Sequence, residues 1–253
     1  MAGLPKLLVI NSKDKDVGSN SNSDFTIQTQ EKYLLQGISR IVIVEATVPN
    51  LFANINDDNN ILDFKEAGGP LLQAFIPVGQ YNVTQLITAL ESEIQTLASV
   101  GNVPTITLNP ITNKLIINMS ATGLVIFGDS TIAEVIGLIP GQDLLNVGLQ
   151  TSLSRIVNLS GLPVVYIHSR ALSSSYGIDA GKGLTNLVVS VPLNDAPYGS
   201  YATLLPKDLS VSEIVYDSTR NITNIDIRLR DSQGKLLDID NMHITLVVKL
   251  YFS

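Results

Sequence analysis

The chain has 253 residues, 45% of them hydrophobic, a formal net charge of −7 and no cysteine. That length and apolar content suffice for one large β domain or two smaller domains around a real core. The acidic balance, with no cluster of Lys and Arg, argues against wrapping nucleic acid. The lack of cysteine excludes disulfides, thiolate nucleophiles and cysteine-held metals.

Near the start, Leu7-Leu-Val-Ile10 is an apolar run too short for a signal-peptide core, and no stretch approaches the roughly 18 apolar residues of a membrane helix. The expectation is a soluble protein, made without a secretory signal and not inserted in a membrane. The sequons at Asn82, Asn118, Asn158 and Asn221 are accordingly read as unmodified.

Residues 6–11 read as a short apolar strand. Ser12-Lys-Asp-Lys-Asp16 and Gly18-Ser-Asn-Ser-Asn-Ser23 follow, polar and turn-forming with little to bury. Residues 1–23 are therefore expected to be a strand with a flexible arm, either a surface loop or a segment that orders against a neighbouring subunit. Residues 24–30 alternate, with Phe25 and Ile27 on one face. Residues 38–48 are nearly continuous Ile and Val, broken by Arg40, Glu45 and Thr47, the pattern of a central strand covered on both faces; Pro49 ends it. The Asx-rich run 54–60 reads as a loop: Asp57, Asp58, Asn59 and Asn60 lack the spacing, central glycine and closing glutamate of an EF-hand.

After a strand at 71–76, Asn82 and Gln85 form a capping box. The helix behind it carries Val83, Leu86, Ile87, Leu90, Ile94 and Leu97 at helical spacing, with Glu91, Glu93 and Gln95 opposite. Residues 105–108 and 114–118 form a hairpin around Asn109-Pro-Ile-Thr-Asn113, and 124–127 supply a further strand. Ser130 or Thr131, with Glu134 in the first turn, caps a short helix through Ile136 that Gly137 ends. Residues 76–148 thus read as a small α+β insertion.

From 153 onward strands are expected at 154–159, 164–170, 184–191 and 198–204. Turn residues separate them: Gly161 with Pro163, Ser173-Ser-Ser175 with Gly177, Gly181 with Gly183, and Asn194-Asp-Ala-Pro197. Ile225, Ile227 and Leu229 then alternate with Asp226, Arg228 and Arg230. Asp231-Ser-Gln-Gly234 offers a turn, and Ile244, Leu246, Val248, Leu250 and Phe252 alternate again. These last two strands read as an antiparallel pair resting on a larger sheet. The fold class is mainly β: a single jelly-roll β-sandwich from residues 24–75 and 149–253, with the insertion between them.

No constellation of chemistry stands out, and no residue is assigned a catalytic, cofactor-binding or metal-binding role. His168 and His243 are the two histidines, each in or beside a strand, too few for the histidine cluster of a metal-binding jelly roll. Gly177-Ile-Asp-Ala-Gly181-Lys-Gly183 lacks P-loop spacing, lacks Ser or Thr after the lysine, and precedes a strand. Asp226, Asp231, Asp238 and Asp240 fall on a wet face or in turns, where solvated carboxylates belong.

Several stretches carry a resemblance. Leu8-Val-Ile-Asn-Ser-Lys-Asp-Lys-Asp16, Ser23-Asp-Phe-Thr-Ile27 and the strand ending Val48-Pro-Asn50 resemble the opening of penton (minor capsid) proteins of icosahedral DNA viruses of the virophage and polinton-like type. Ile76-Pro-Val-Gly-Gln-Tyr81 before a helix, Ile225-Asp-Ile-Arg-Leu-Arg-Asp-Ser-Gln-Gly234 and the last strand are similar to patterns there. The resemblance implies a structural protein, not an enzyme. It would form a homopentamer at the five-fold vertex of the virion, among capsomers of the major capsid protein, with no cofactor. A receptor- or ligand-binding fibre head on a β-sandwich is the alternative, and a jelly-roll enzyme using His168 and His243 is the third.

Overall fold

The computed structural model describes residues 4–29, 35–66, 68–98, 104–119, 124–146, 151–173, 178–179, 184–207 and 212–253. The chain divides into two compact units, Met1–Leu51 with Leu162–Ser253, and Phe52–Gly161.

The strands of the first unit are β1 (Lys6–Asn11), β2 (Asp24–Gln28), β3 (Leu35–Pro49), β11 (Val164–His168), β12 (Ile178–Asp179), β13 (Leu184–Thr185), β14 (Leu187–Pro192), β15 (Tyr201–Leu204), β16 (Glu213–Ile222), β17 (Asn224–Arg230) and β18 (Thr245–Phe252). One sheet runs β1-β18-β3-β15, with β16 also on β3; a second runs β14-β11-β17-β2; β12 and β13 form a ribbon. Both ends of the chain meet in the first sheet, where Lys6 to Asn11 pair antiparallel with Leu250 to Thr245. Its buried face carries Ile10, Ile38, Ile41, Ile43, Leu246, Val248 and Leu250, while Phe25, Val165, Ile167, Ile225, Ile227 and Leu229 are buried on the second sheet. Alternation in most of these strands leaves the other face wetter, as expected of a two-layer sandwich. The architecture is mainly β, of jelly-roll type, with an α+β unit inserted between Leu51 and Leu162.

That unit contains β4 (Ile61–Glu66), β5 (Leu72–Phe75), α1 (Val83–Leu97), β6 (Pro104–Leu108), β7 (Leu115–Met119), β8 (Leu124–Ile126), α2 (Ala133–Ile136), β9 (Leu144–Asn146) and β10 (Thr151–Ser152). Its sheets run β5-β4-β8-β9 and β10-β7-β6. Leu86, Leu90 and Ile94 of α1 join Leu62, Phe64, Ala74, Ile106, Leu115 and Ile117 in a core of its own. The capping box forms in both directions: Gln85 N–H donates to Asn82 Oδ1 and Asn82 N–H to Gln85 Oε1, each at 2.9 Å. Asn54 ties the way in to the way out. Its amide exchanges hydrogen bonds with the Tyr81 backbone at 2.9 and 2.8 Å, and its Nδ2 also donates to the Leu159 carbonyl at 3.3 Å.

Several expectations change. The unit boundaries fall at 51/52 and 161/162, not 75/76 and 148/149. The strand at 71–76 and the unforeseen β4 pair with each other inside the inserted unit, because alternation marks a buried face without naming the sheet. For the same reason the closing strands are not a hairpin: β17 lies between β11 and β2, β18 between β1 and β3. The turn between them is real, with Gly234 at φ 83° and an isolated bridge from Arg230 to Leu236, after which the chain changes sheets.

β3 is central but doubly covered only in part. Ile41, Val42 and Ile43 are all buried, whereas Arg40 is exposed and Glu45 and Thr47 half-buried. A register shift at Val247/Val248, opposite Val44, moves the buried set from Ile41 and Ile43 to Ala46 and Val48. No strand forms at 154–159, where Arg155, Val157 and Asn158 N–H groups donate to Gly137, Asn113 and Val135, three separate segments. β16 was not foreseen, since Asp217-Ser-Thr-Arg220 interrupts its apolar pattern; the pairing jumps there from Val215 to Arg220. The short helix ends at Gly137, φ 94°, as expected, but Ile132 occupies its cap without a side-chain bond. Ser130 Oγ and Thr131 Oγ1 instead accept the Asp63 and Ile61 N–H groups of β4, each at 2.9 Å.

Candidate assembly surface

The residues that would carry chemistry are occupied with structure. Ser12, fully buried, accepts the Ile244 N–H on Oγ at 3.1 Å and stands 3.2 Å from His243 Nδ1. The pair looks like a nucleophile and its base, but an enclosed hydroxyl already holding a backbone N–H stitches β1 to β18 and faces no substrate. His168 is buried at the bulged end of β11, in the other sheet. Among the described residues no three of His, Asp or Glu converge as metal ligands.

The acidic and Asx residues singled out in the sequence serve backbone groups. Asp226 Oδ1 accepts the Arg170 and Ala171 N–H groups at 2.9 and 3.2 Å, and Asp231 Oδ1 those of Gln233 and Lys235 at 2.8 and 2.9 Å. Asp238 Oδ1 takes the Asp240 N–H at 2.9 Å. In the 54–60 loop Asn59 and Asn56 accept the Asn56 and Asp58 N–H groups at 2.7 and 2.9 Å, an Asx-turn arrangement. Of the glycine-rich stretch 177–183, only Ile178–Asp179 lie within the described residues.

Surface character is concentrated at sheet edges. The stretch 12–23, expected to be a flexible arm, is drawn along the free side of β2. Asp16 N–H donates to the Thr26 carbonyl at 2.8 Å, Ser19 Oγ accepts the Thr26 N–H at 3.1 Å, and Ser21 Oγ accepts the Asp24 N–H at 3.0 Å. Lys15 Nζ donates to Asn22 Oδ1, and Asn22 Nδ2 to the Met242 carbonyl, both at 2.8 Å. A Ser- and Asn-rich composition reads as unbound in sequence because the partners of its short polar side chains are backbone groups set by the fold. Among the described residues β1 pairs with β18 and with no other strand, and Leu7 and Val9 of β1 are exposed. The inserted unit has its own exposed apolar residues at Leu71, Phe75 and Val78, on or beside the edge strand β5.

No family model matches the chain, and no curated protein does. Among solved structures the chain is similar to the selenomethionine-labelled penton protein of mavirus, with a TM-score of 0.54, 10% sequence identity, and 98% of this chain covering 99% of that one. At that identity the likeness is one of fold, and it extends over nearly the whole length of both chains.

The sequence left the exposed edge unmarked. Leu7-Leu-Val-Ile10 was read as an apolar strand, but its lack of alternation is the overlooked signal: Ile10 is buried while Leu7 and Val9 point the other way. No helix among the described residues is long and apolar enough to cross a membrane.

Proposed function

We propose that this protein is a structural capsid component that forms the pentameric vertex capsomer, or penton, of an icosahedral virus particle. The observation that carries the reading is the end-to-end likeness in fold to a viral penton protein. A rigid β-sandwich with an uncovered sheet edge suits such a role, because a ring of five needs two different surfaces on each copy that meet head to tail. Its partners would be four further copies of itself and the surrounding capsomers of the major capsid protein. The net charge of −7 makes packaged nucleic acid an unfavourable main partner, since like charges repel.

The test is the mass and shape of the purified full-length chain, by multi-angle light scattering and negative-stain imaging. Rings with five-fold symmetry, and a mass five times that of the chain, are expected. A strict monomer at every concentration, absent from purified particles, would overturn the proposal.

A further inference from the structure

Resting on that reading of the protein as self-assembling, we propose that β1 is an exchanged arm: residues 6–12 of one copy take their place on β18 of the next copy. The occupant of that seat is the segment already paired with it, supplied by a neighbour. Each copy gives one arm and receives one, the head-to-tail pattern that closes into a ring.

The segment is bonded to one stretch of the chain. Lys6 to Asn11 pair in register with Leu250 to Thr245, and Asn11 Nδ2 donates to Thr245 Oγ1 at 3.1 Å. Ser12 N–H donates to the Ile244 carbonyl at 3.2 Å, and Ser12 Oγ accepts the Ile244 N–H at 3.1 Å and stands 3.2 Å from His243 Nδ1. The Lys6 ammonium lies 5.2 Å from the Phe252 ring centre. Apart from the turn that Asn11 caps at Lys13, each hydrogen bond described for residues 6–12 ends within residues 243–252. All of them re-form unchanged when the strand comes from a neighbouring copy, because a backbone ladder does not distinguish one copy of a sequence from another.

Two observations favour the exchange. Within its own chain β1 buries little: Ile10 is its one fully buried side chain, while Leu4 before it and Leu7 and Val9 in it are 89%, 66% and 61% exposed. A strand that leaves most of its apolar surface in water is held by its ladder and contributes little to its own core. Carried across to a neighbour, the same side chains lie where two copies meet. The second observation is the connection. Lys13 and Asp14 are exposed, and among the described residues no backbone hydrogen bond ties residues 13–15 to another segment; the next tie is Asp16 N–H to the Thr26 carbonyl at 2.8 Å. Ser12–Asp14 form a single 3-10 turn, which drawn out to extended chain rises about 3.3 Å per residue instead of about 2.0. Opening that turn is the change a strand exchange asks of its hinge.

The chain has no cysteine, so a cross-link can be placed without interference. Val9 and Val247 are directly opposed, within the separation a disulfide spans. The full chain carrying Val9→Cys with Val247→Cys is purified reduced, oxidised once assembled, and run on a denaturing, non-reducing gel. Covalent multiples of 27.2 kDa that return to a single chain on reduction are expected, with each single variant staying a single chain. Leu7→Cys with Lys249→Cys, opposed in the same way, is read identically and covers the case in which the first pair disturbs the fold. Assembled protein whose cross-link is internal, running as one chain with either pair, overturns the exchange while the capsid reading stands; so do multiples formed equally by the single variants. A wild-type chain that never associates overturns the capsid reading, and this inference with it.

Discussion

Tyr216 lies on β16 with its ring under the Arg220 guanidinium, 4.6 Å from the ring centre, and its hydroxyl donates to the Leu172 carbonyl at 2.9 Å. Burial pushes its phenol up to about 12 from the ordinary 10.0, with Arg220 pulling the other way by less. The folded chain therefore holds this proton more tightly than the unfolded chain. The associated stability is fully present below pH 10 and is lost as pH rises from about 10 to about 12, on the order of 2 kcal/mol in all. Absorbance titration of tyrosinate should show a late-titrating phenol that disappears in Tyr216→Phe, and the stability of that variant should be flatter with pH across the same window. A variant titrating like wild type would show that the late phenol belongs to another tyrosine. Nothing in Glu213-Ile-Val-Tyr216 announces this, because the Leu172 carbonyl and the Arg220 side chain reach the ring only once β16 has taken its place beside β3. The same holds for Asp226: sequence placed it correctly on the half-wet face of a strand, yet its role is set by two N–H groups more than fifty residues upstream.

At the level of single elements, α1 is the most self-specified piece of the chain. Its cap, its length and the centre of its apolar stripe were legible, since each depends on residues within a turn or two of one another; Leu97, read into the stripe, is exposed, and Glu91, read as opposite it, accepts the Ile106 N–H of β6 at 2.6 Å. Asn82→Ala removes the side chain that holds the Gln85 N–H and should cost about 1 kcal/mol of stability, measured by urea unfolding. A change well below a few tenths would mean the cap is redundant with packing. The hairpin of β6 and β7 was legible for the same local reason: Asn109 Oδ1 accepts the Ile111 and Thr112 N–H groups at 2.9 and 3.1 Å and Asn113 takes φ 53°, as a short Asx-rich reversal demands. The short helix α2 shows the limit. Ser130 and Thr131 have the chemistry of caps, but β4 lies within reach and its unpaired N–H groups take both hydroxyls.

Across the whole molecule the two units have separate cores, which predicts separable local stability. Leu90→Ala, emptying a position at the centre of the inserted unit's core, should cost about 2–5 kcal/mol there. Native-state hydrogen exchange should then accelerate in α1 and the sheets β5-β4-β8-β9 and β10-β7-β6 while the amides of β17 and β18 keep their protection. Uniform acceleration would show that the chain opens as one cooperative body. By itself the amino-acid order marked most of the strands with one buried face, though not β4 or β16 and with a false one at 154–159, and it showed where α1 begins, where Gly137 and Gly234 turn the chain, and that both ends carry sandwich material. These follow from side-chain periodicity and from cap and turn chemistry, which act over a few bonds. Only the tertiary structure decided that β17 and β18 lie in opposite sheets, that residues 12–23 close the edge of β2, and that Leu7 and Val9 stay uncovered. A period-2 pattern records that a face is buried but carries no label for what buries it, so pairing and exposure are settled by which distant strands arrive on each side.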